Sequence, residues 1–216
     1  MSVAVLIASV VALVIMIIVL VIRHERRRAQ EFERLAQEIG LTFHAKGDAA
    51  LLDQLNRFHL FSQGRSKKMR NLVFGETEYG EVAVFGYQYT TGSGKNSSTT
   101  RQNVAYFRST GLKAPSFALR PEHVFHKIGT VMGYQDIDFD SHEHFSKKYL
   151  LRGADEAAVR EAFRSEVLSF YETQSGISTE ADGERLIYYR SGRRIKPSEM
   201  MTFLNEGSHI LKLFQA

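Results

Sequence analysis

Residues 3–22 are apolar at every position except Ser9, and none of them is charged. At about 1.5 Å per residue, a helix of that length spans about 30 Å, the thickness of a bilayer's hydrocarbon core. The pattern then changes period. Phe32, Leu35, Ala36 and Ile39 recur at helical spacing, and Gly40 follows as a stop. A helix over 29–39 is predicted, continuing the apolar one without a break.

Beyond it the periods are short. Leu41–Phe43 reads as a strand and 49–56 as a short helix. Leu72–Phe74 is a strand, and Val82–Tyr89 is another, with Ala83, Phe85, Tyr87 and Tyr89 on one face. Glu76–Gly80 joins these two as a hairpin turn. The polar stretch Thr90–Gln102 is expected to be a mobile loop leading to a strand at Val104–Phe107. Phe117 and Leu119 suggest a further strand. Pro121 is expected to open a short helix with Val124, Phe125 and Ile128 inward, closed by Gly129. Tyr149–Leu151 is a strand, and 155–173 is a helix or helix pair striped by Val159, Ala162, Phe163, Val167 and Phe170. A hairpin around Asp182-Gly183 joins Ile177–Thr179 to Leu186–Tyr189. A last helix follows Pro197, with Ser198 as its expected N-cap. Strands and helices alternate without βαβ spacing in the first half. The fold class is therefore α+β: an N-terminal transmembrane helix, then a soluble domain with a mainly antiparallel sheet and flanking helices.

The flanks of the apolar run define what it is. No basic residue precedes it, it exceeds the roughly 7–15 residues of a signal-peptide core, and no small-x-small cleavage site follows. Arg23, Arg26, Arg27 and Arg28 follow instead. Basic flanks stay cytoplasmic, so the reading is an uncleaved anchor. Residues 1–2 are placed outside, 3–22 in the membrane, 23–40 as a basic collar and juxtamembrane helix, and 41–216 as a cytosolic domain. The absence of cysteine agrees with a reducing compartment and removes thiolate metal sites and cysteine nucleophiles.

Charge is reread in this light. The chain carries +4 overall, and four arginines against Glu25 within 23–28 supply +3 of it. The rest is nearly neutral and has no base-stacking motif, so no nucleic-acid partner is expected. Two further basic runs occur: Arg65, Lys67, Lys68 and Arg70, read as a loop, and Arg190, Arg193, Arg194 and Lys196. Ordinary solvated turns account for both. If they face the bilayer beside the collar, they would meet anionic headgroups at about 1 kcal/mol per residue.

Catalytic signals are few. Thr91–Asn96 has a glycine-rich look, but Tyr89 and Asn96 stand where a phosphate loop needs Gly and Ser/Thr. Asp136, Asp138 and Asp140 open like a calcium loop, but Ser141 and Lys147 occupy the positions that need Gly and Glu. An edge strand with Ile137 and Phe139 inward is the simpler reading. His123, His126, His142 and His144, with Asp138 or Asp140, could form a His/carboxylate metal site. No H-E-x-x-H and no G-x-S-x-G elbow occurs.

The strings Pro115–Glu122 (PSFALRPE), Asp136–Asp140 (DIDFD), Phe145 and Tyr149–Glu156 (YLLRGADE) resemble a bacterial family with an N-terminal membrane anchor and a soluble domain of this size. The resemblance covers most of residues 30–210. It implies bacterial origin and an inner-membrane location, and it carries no activity and no catalytic residues. The sequence thus points to a single-pass anchored, non-enzymatic interaction domain at the cytosolic membrane face, without cofactor, meeting lipid headgroups or a protein partner. The alternative is a tethered metal-dependent enzyme built on the His/Asp cluster.

Overall fold

The computed structural model describes residues 3–122 and 136–215. Helix α1 runs unbroken over Val3–Glu38. Its large apolar side chains from Leu6 to Ile22 are exposed, and it is long and apolar enough to cross a membrane. Its last turns are different. Phe32 and Ala36 are fully buried against the domain, and Leu35 packs beside them. One helix therefore serves two environments, and Gly40, at φ +73°, ends it.

The domain is built on one eight-stranded antiparallel sheet, in the order β1-β2-β3-β4-β8-β7-β5-β6. The strands are β1 (Thr42–His44), β2 (Arg65–Thr77), β3 (Gly80–Thr91), β4 (Ser98–Arg108), β5 (Ala114–Pro121), β6 (Tyr149–Gly153), β7 (Ser178–Gly183) and β8 (Arg185–Tyr189). Within residues 3–121 and 136–215 the helices after α1 are α2 (Ala49–Gln54), α3 (His59–Ser62), α4 (Glu143–Lys148), α5 (Glu156–Ala162), α6 (Ser165–Thr173) and α7 (Met200–Gln215). The fold is α+β, as the hydrophobic periods require.

Both faces of the sheet are covered, which explains why the central strands are apolar at nearly every position. On one face Val82, Val84, Ala105, Phe107, Leu186 and Tyr188 meet α1, α6 and α7. On the other, Ala83, Phe85, Tyr87, Tyr106 and Ile187 meet Leu55, Phe58, Leu60 and Phe61 around α3. Gly207 lets α7 lie close to the sheet: a Cβ there would stand 2.6 Å from the Phe107 ring.

The second core holds an ion pair. Arg120 Nη2 donates to Glu180 Oε1 at 2.6 Å, the Tyr189 hydroxyl donates to the same oxygen at 2.9 Å, and the Leu60 amide lies 3.2 Å from both carboxylate oxygens. Burial alone would pull the Arg120 pKa down. The facing Tyr189 and Glu180 oxygens outweigh it, and the pKa ends raised. This network fastens α3 to β5, β7 and β8.

The structure corrects several local expectations. The basic run from Arg65 to Arg70 belongs to strand β2, not to a loop. The Thr90–Gln102 loop shrinks to a turn around Gly92–Ser97, because β3 and β4 pair from Thr91 opposite Ser98 inward. Asp136–Phe139 is not an edge strand. It is an extended segment that leads into a 3-10 turn and α4, although Ile137 and Phe139 do point inward. Residues 49–56 divide into α2 and a 3-10 turn at Leu55–Arg57. Ile39 is exposed. Ser198 is not the cap: the Lys196 amide donates to Glu199 Oε2 at 2.7 Å, and Pro197 opens the turn before α7. Pro121 closes β5 opposite Tyr149, and the helix expected around Val124, Phe125 and Ile128 lies outside the described residues.

Candidate functional site: a basic groove beside the apolar helix

Three strands change character at the same level. Along the face that α1 covers, β3 runs Val82, Val84, Gly86, Gln88, and β4 runs Phe107, Ala105, Asn103, Arg101. The register puts Arg70 opposite Gly86, Lys68 opposite Gln88, and Gln88 opposite Arg101. Each strand is apolar where α1 packs and polar or basic beyond it. Asn103 marks the seam: its Oδ1 accepts from Arg28 Nη2 at 3.3 Å and from the Ile195 amide at 3.1 Å.

Beyond that seam a groove of about 410 Å³ opens between α1 and the sheet. Val21 and Glu25 of α1 form one wall. Lys68, Arg70, Gly86, Gln88, Arg101 and Arg194 are among its other lining residues. Arg101 Nε donates to Gln88 Oε1 at 3.3 Å. Arg194 meets Glu25 through two hydrogen bonds of 2.9 Å. This pairing lowers the Glu25 carboxyl below its usual range, with burial opposing. Lys68 and Arg70 make no ion pair among the described residues. Four cations thus line the groove against one carboxylate, beside the last turns of the apolar span.

The remaining basic residues are dispersed. Arg23, Arg26 and Arg27 are exposed around α1, while Arg28 is half-buried, with its guanidinium 5.0 Å from the Phe32 ring centre. Burial lowers the Arg28 pKa first, with Arg194 adding to it. Arg65 donates to Gly92 O and to Ser97 Oγ, and Lys67 donates to Phe61 O. Arg190 reaches Ser175 O and Glu206. Arg193 and Lys196 are exposed. Of the eight residues in the two runs, Lys68, Arg70 and Arg194 come together at the groove. Arg101, Glu25 and Gly86 complete it. Arg101 could have been found by extending the β3 alternation through Gln88 and allowing a shorter loop.

The histidine cluster is only partly visible. His123 and His126 lie outside the described residues. His142 Nδ1 stands 3.2 Å from Glu172 Oε1, and His144 is exposed. Asp138 accepts from Arg160 through its backbone oxygen. Among the described residues no group of three His, Asp or Glu side chains could hold a metal ion.

The fold has a solved counterpart. It is the mycobacterial trehalose monomycolate transport factor A, TtfA. The two superpose with a TM-score of 0.58 at 12% identity, over 88% of this chain and 93% of that one. At that identity the likeness concerns the fold alone. No family model and no curated protein matches the chain.

Proposed function

We propose that the chain is a single-pass membrane protein with residues 1–2 outside, 3–22 spanning the bilayer and 23–40 as collar. Its domain, residues 41–216, would face the cytosol of a bacterial inner membrane. Its role on this reading is non-enzymatic: a factor that handles lipid or a membrane partner at the bilayer surface.

The observation that carries this reading is the continuity of α1. The same helix that exposes a 20-residue apolar stretch buries Phe32 and Ala36 in the domain core. A domain joined without a linker is held against the surface its helix enters, so its membrane-proximal face has a fixed orientation. Support comes from the shared fold with TtfA, a transport factor named for trehalose monomycolate, which is a lipid.

The cysteine-free sequence offers a direct test. Single cysteines are introduced at Ser2 and at exposed Arg193, and intact cells are treated with a membrane-impermeant maleimide. The Ser2→Cys protein should label in intact cells, and the Arg193→Cys protein only after permeabilisation. The reverse pattern would refute the orientation, and extraction of the chain by carbonate would refute the anchor.

A further inference from the structure

We propose that the groove bounded by α1, β2, β3 and β4 binds the phosphate of one anionic lipid headgroup, taken from the leaflet that faces the domain. The inference rests on the membrane-anchored reading above and names the ligand of that face.

Charge is the first argument. Lys68, Arg70, Arg101 and Arg194 converge on a single concavity, and Glu25 is the acid among its lining residues. Isolated surface cations are ordinary. Four of them lining one concavity on a domain that is nearly neutral are not explained by solubility. Strands lie about 4.8 Å apart, and alternate residues along a strand about 7 Å apart. Side chains as long as Lys and Arg, rooted at that spacing, can close on one phosphate group, and guanidinium forks match its oxygens in pairs.

Shape is the second argument. The floor lacks a side chain at Gly86, where an added Cβ would find only Arg70 O, at 3.4 Å. The cavity is therefore open at its centre, where an anion would sit. Glu25 does not neutralise the floor. It holds Arg194 through paired hydrogen bonds and turns that guanidinium toward the groove wall.

Position separates a lipid from a soluble phosphate. The wall that α1 supplies includes Val21, one residue from the end of the apolar run, and the residues before it are exposed along the helix. A phosphate in the groove would thus lie at the depth of the headgroups, with acyl chains free to run along the apolar surface of α1. A soluble phosphate would gain nothing from that wall.

The test uses the full chain in nanodiscs of phosphatidylcholine containing a minor share of phosphatidylglycerol. Lipids retained after gentle release are counted by native mass spectrometry. The wild-type chain should retain one phosphatidylglycerol in preference to phosphatidylcholine. Arg70→Glu with Arg101→Glu should lower that preference by tenfold or more, on the order expected for basic residues near an anionic surface. Gly86→Leu fills the cavity without touching a charge and should lower it as well. Arg193→Ala, outside the groove, should not.

An equal preference in wild type and Gly86→Leu, or none in the wild type, would overturn the site while leaving the anchored reading intact. Complete displacement by millimolar inorganic phosphate would assign the groove to a soluble anion and overturn the lipid. Failure of the chain to stay in the nanodisc would overturn the anchored reading itself, and this inference with it.

Discussion

Glu25 and Arg194 lie 169 positions apart and face each other across two hydrogen bonds of 2.9 Å. This pair fixes the membrane-proximal part of α1 to the segment between β8 and α7. Without it, α1 would be tied to the domain through Arg28, Phe32 and the turns that follow. Both side chains are about four-tenths exposed, and such pairs contribute about 0–1 kcal/mol. Their role is therefore orientation more than stability.

Breaking the pair should accordingly leave the melting temperature almost unchanged and loosen the helix. Glu25→Ala or Arg194→Ala should raise amide hydrogen exchange over residues 23–30, and the swapped pair Glu25→Arg with Arg194→Glu should restore protection. The pH dependence has a definite sign. The Glu25 pKa is depressed from 4.5 by Arg194, so the pair's contribution is complete above that value and disappears as pH falls through the lowered one. Protection factors over 23–30, taken relative to the intrinsic exchange rate at each pH, should stay flat at neutral pH and fall only in acid. A loss of protection that begins near pH 6 would contradict the assignment.

The Arg120–Glu180 pair differs because it is almost without solvent. Removing one partner strands a charge in the core, which typically costs about 3–5 kcal/mol. Glu180→Ala should therefore destabilise the domain strongly in urea titration, since it strands the Arg120 guanidinium and removes the acceptor of Tyr189 and Leu60. The double variant Arg120→Met with Glu180→Leu should lose much less than the sum of the single losses. Simple additivity would mean that the two groups do not depend on each other.

Gly207 opposes two rules of similar size. In an exposed helix Gly→Ala stabilises by about 1 kcal/mol. Here the new methyl would stand 2.6 and 2.8 Å from Phe107 ring atoms and 3.3 Å from the Tyr188 ring, all in a filled core. Overpacking of this kind costs about 1–3 kcal/mol. Gly207→Ala should thus lower the urea midpoint, and an unchanged or higher midpoint would show that α7 can shift outward at little cost.

His59 sits at the edge of the second core, with its Nδ1 2.9 Å from Gln63 Nε2. Burial lowers its pKa from 6.5, and the nearby Arg120 lowers it further. The unfolded chain then takes up a proton that the folded one refuses. The stability this residue contributes is complete above pH 6.5 and declines as pH falls toward the lowered value. Urea midpoints measured from pH 7.5 to 5 should fall more for the wild type than for His59→Gln. Parallel curves would remove His59 as the cause.

The strings Pro115–Glu122, Asp136–Asp140 and Tyr149–Glu156 meet at one edge of the sheet. Pro115–Pro121 lies in β5 and Tyr149–Gly153 is β6, paired from Phe117 opposite Gly153 to Pro121 opposite Tyr149. Asp136 Oδ1 accepts the Leu151 amide, and the Ile137 amide donates to Leu151 O, so the acidic segment closes the edge of that pair. Arg120 is the buried partner of Glu180. These residues hold the β5–β6 edge of the sheet together.

Sequence alone determined the apolar helix, its basic flank, the helical stripe through Phe32 and Ala36, and the α+β antiparallel character. Each depends on the period or composition of neighbouring residues, and local backbone geometry enforces it. Only the tertiary structure decided that Arg65–Arg70 is strand, that β8 lies beside β4, and that Lys68, Arg70, Arg101 and Arg194 share one groove with Glu25. Those facts depend on strand register and on where a helix crosses a sheet, and they join residues up to 169 positions apart. Such pairings are set by burying both faces of one sheet at once, a condition on the whole chain that leaves no mark in any short window of it.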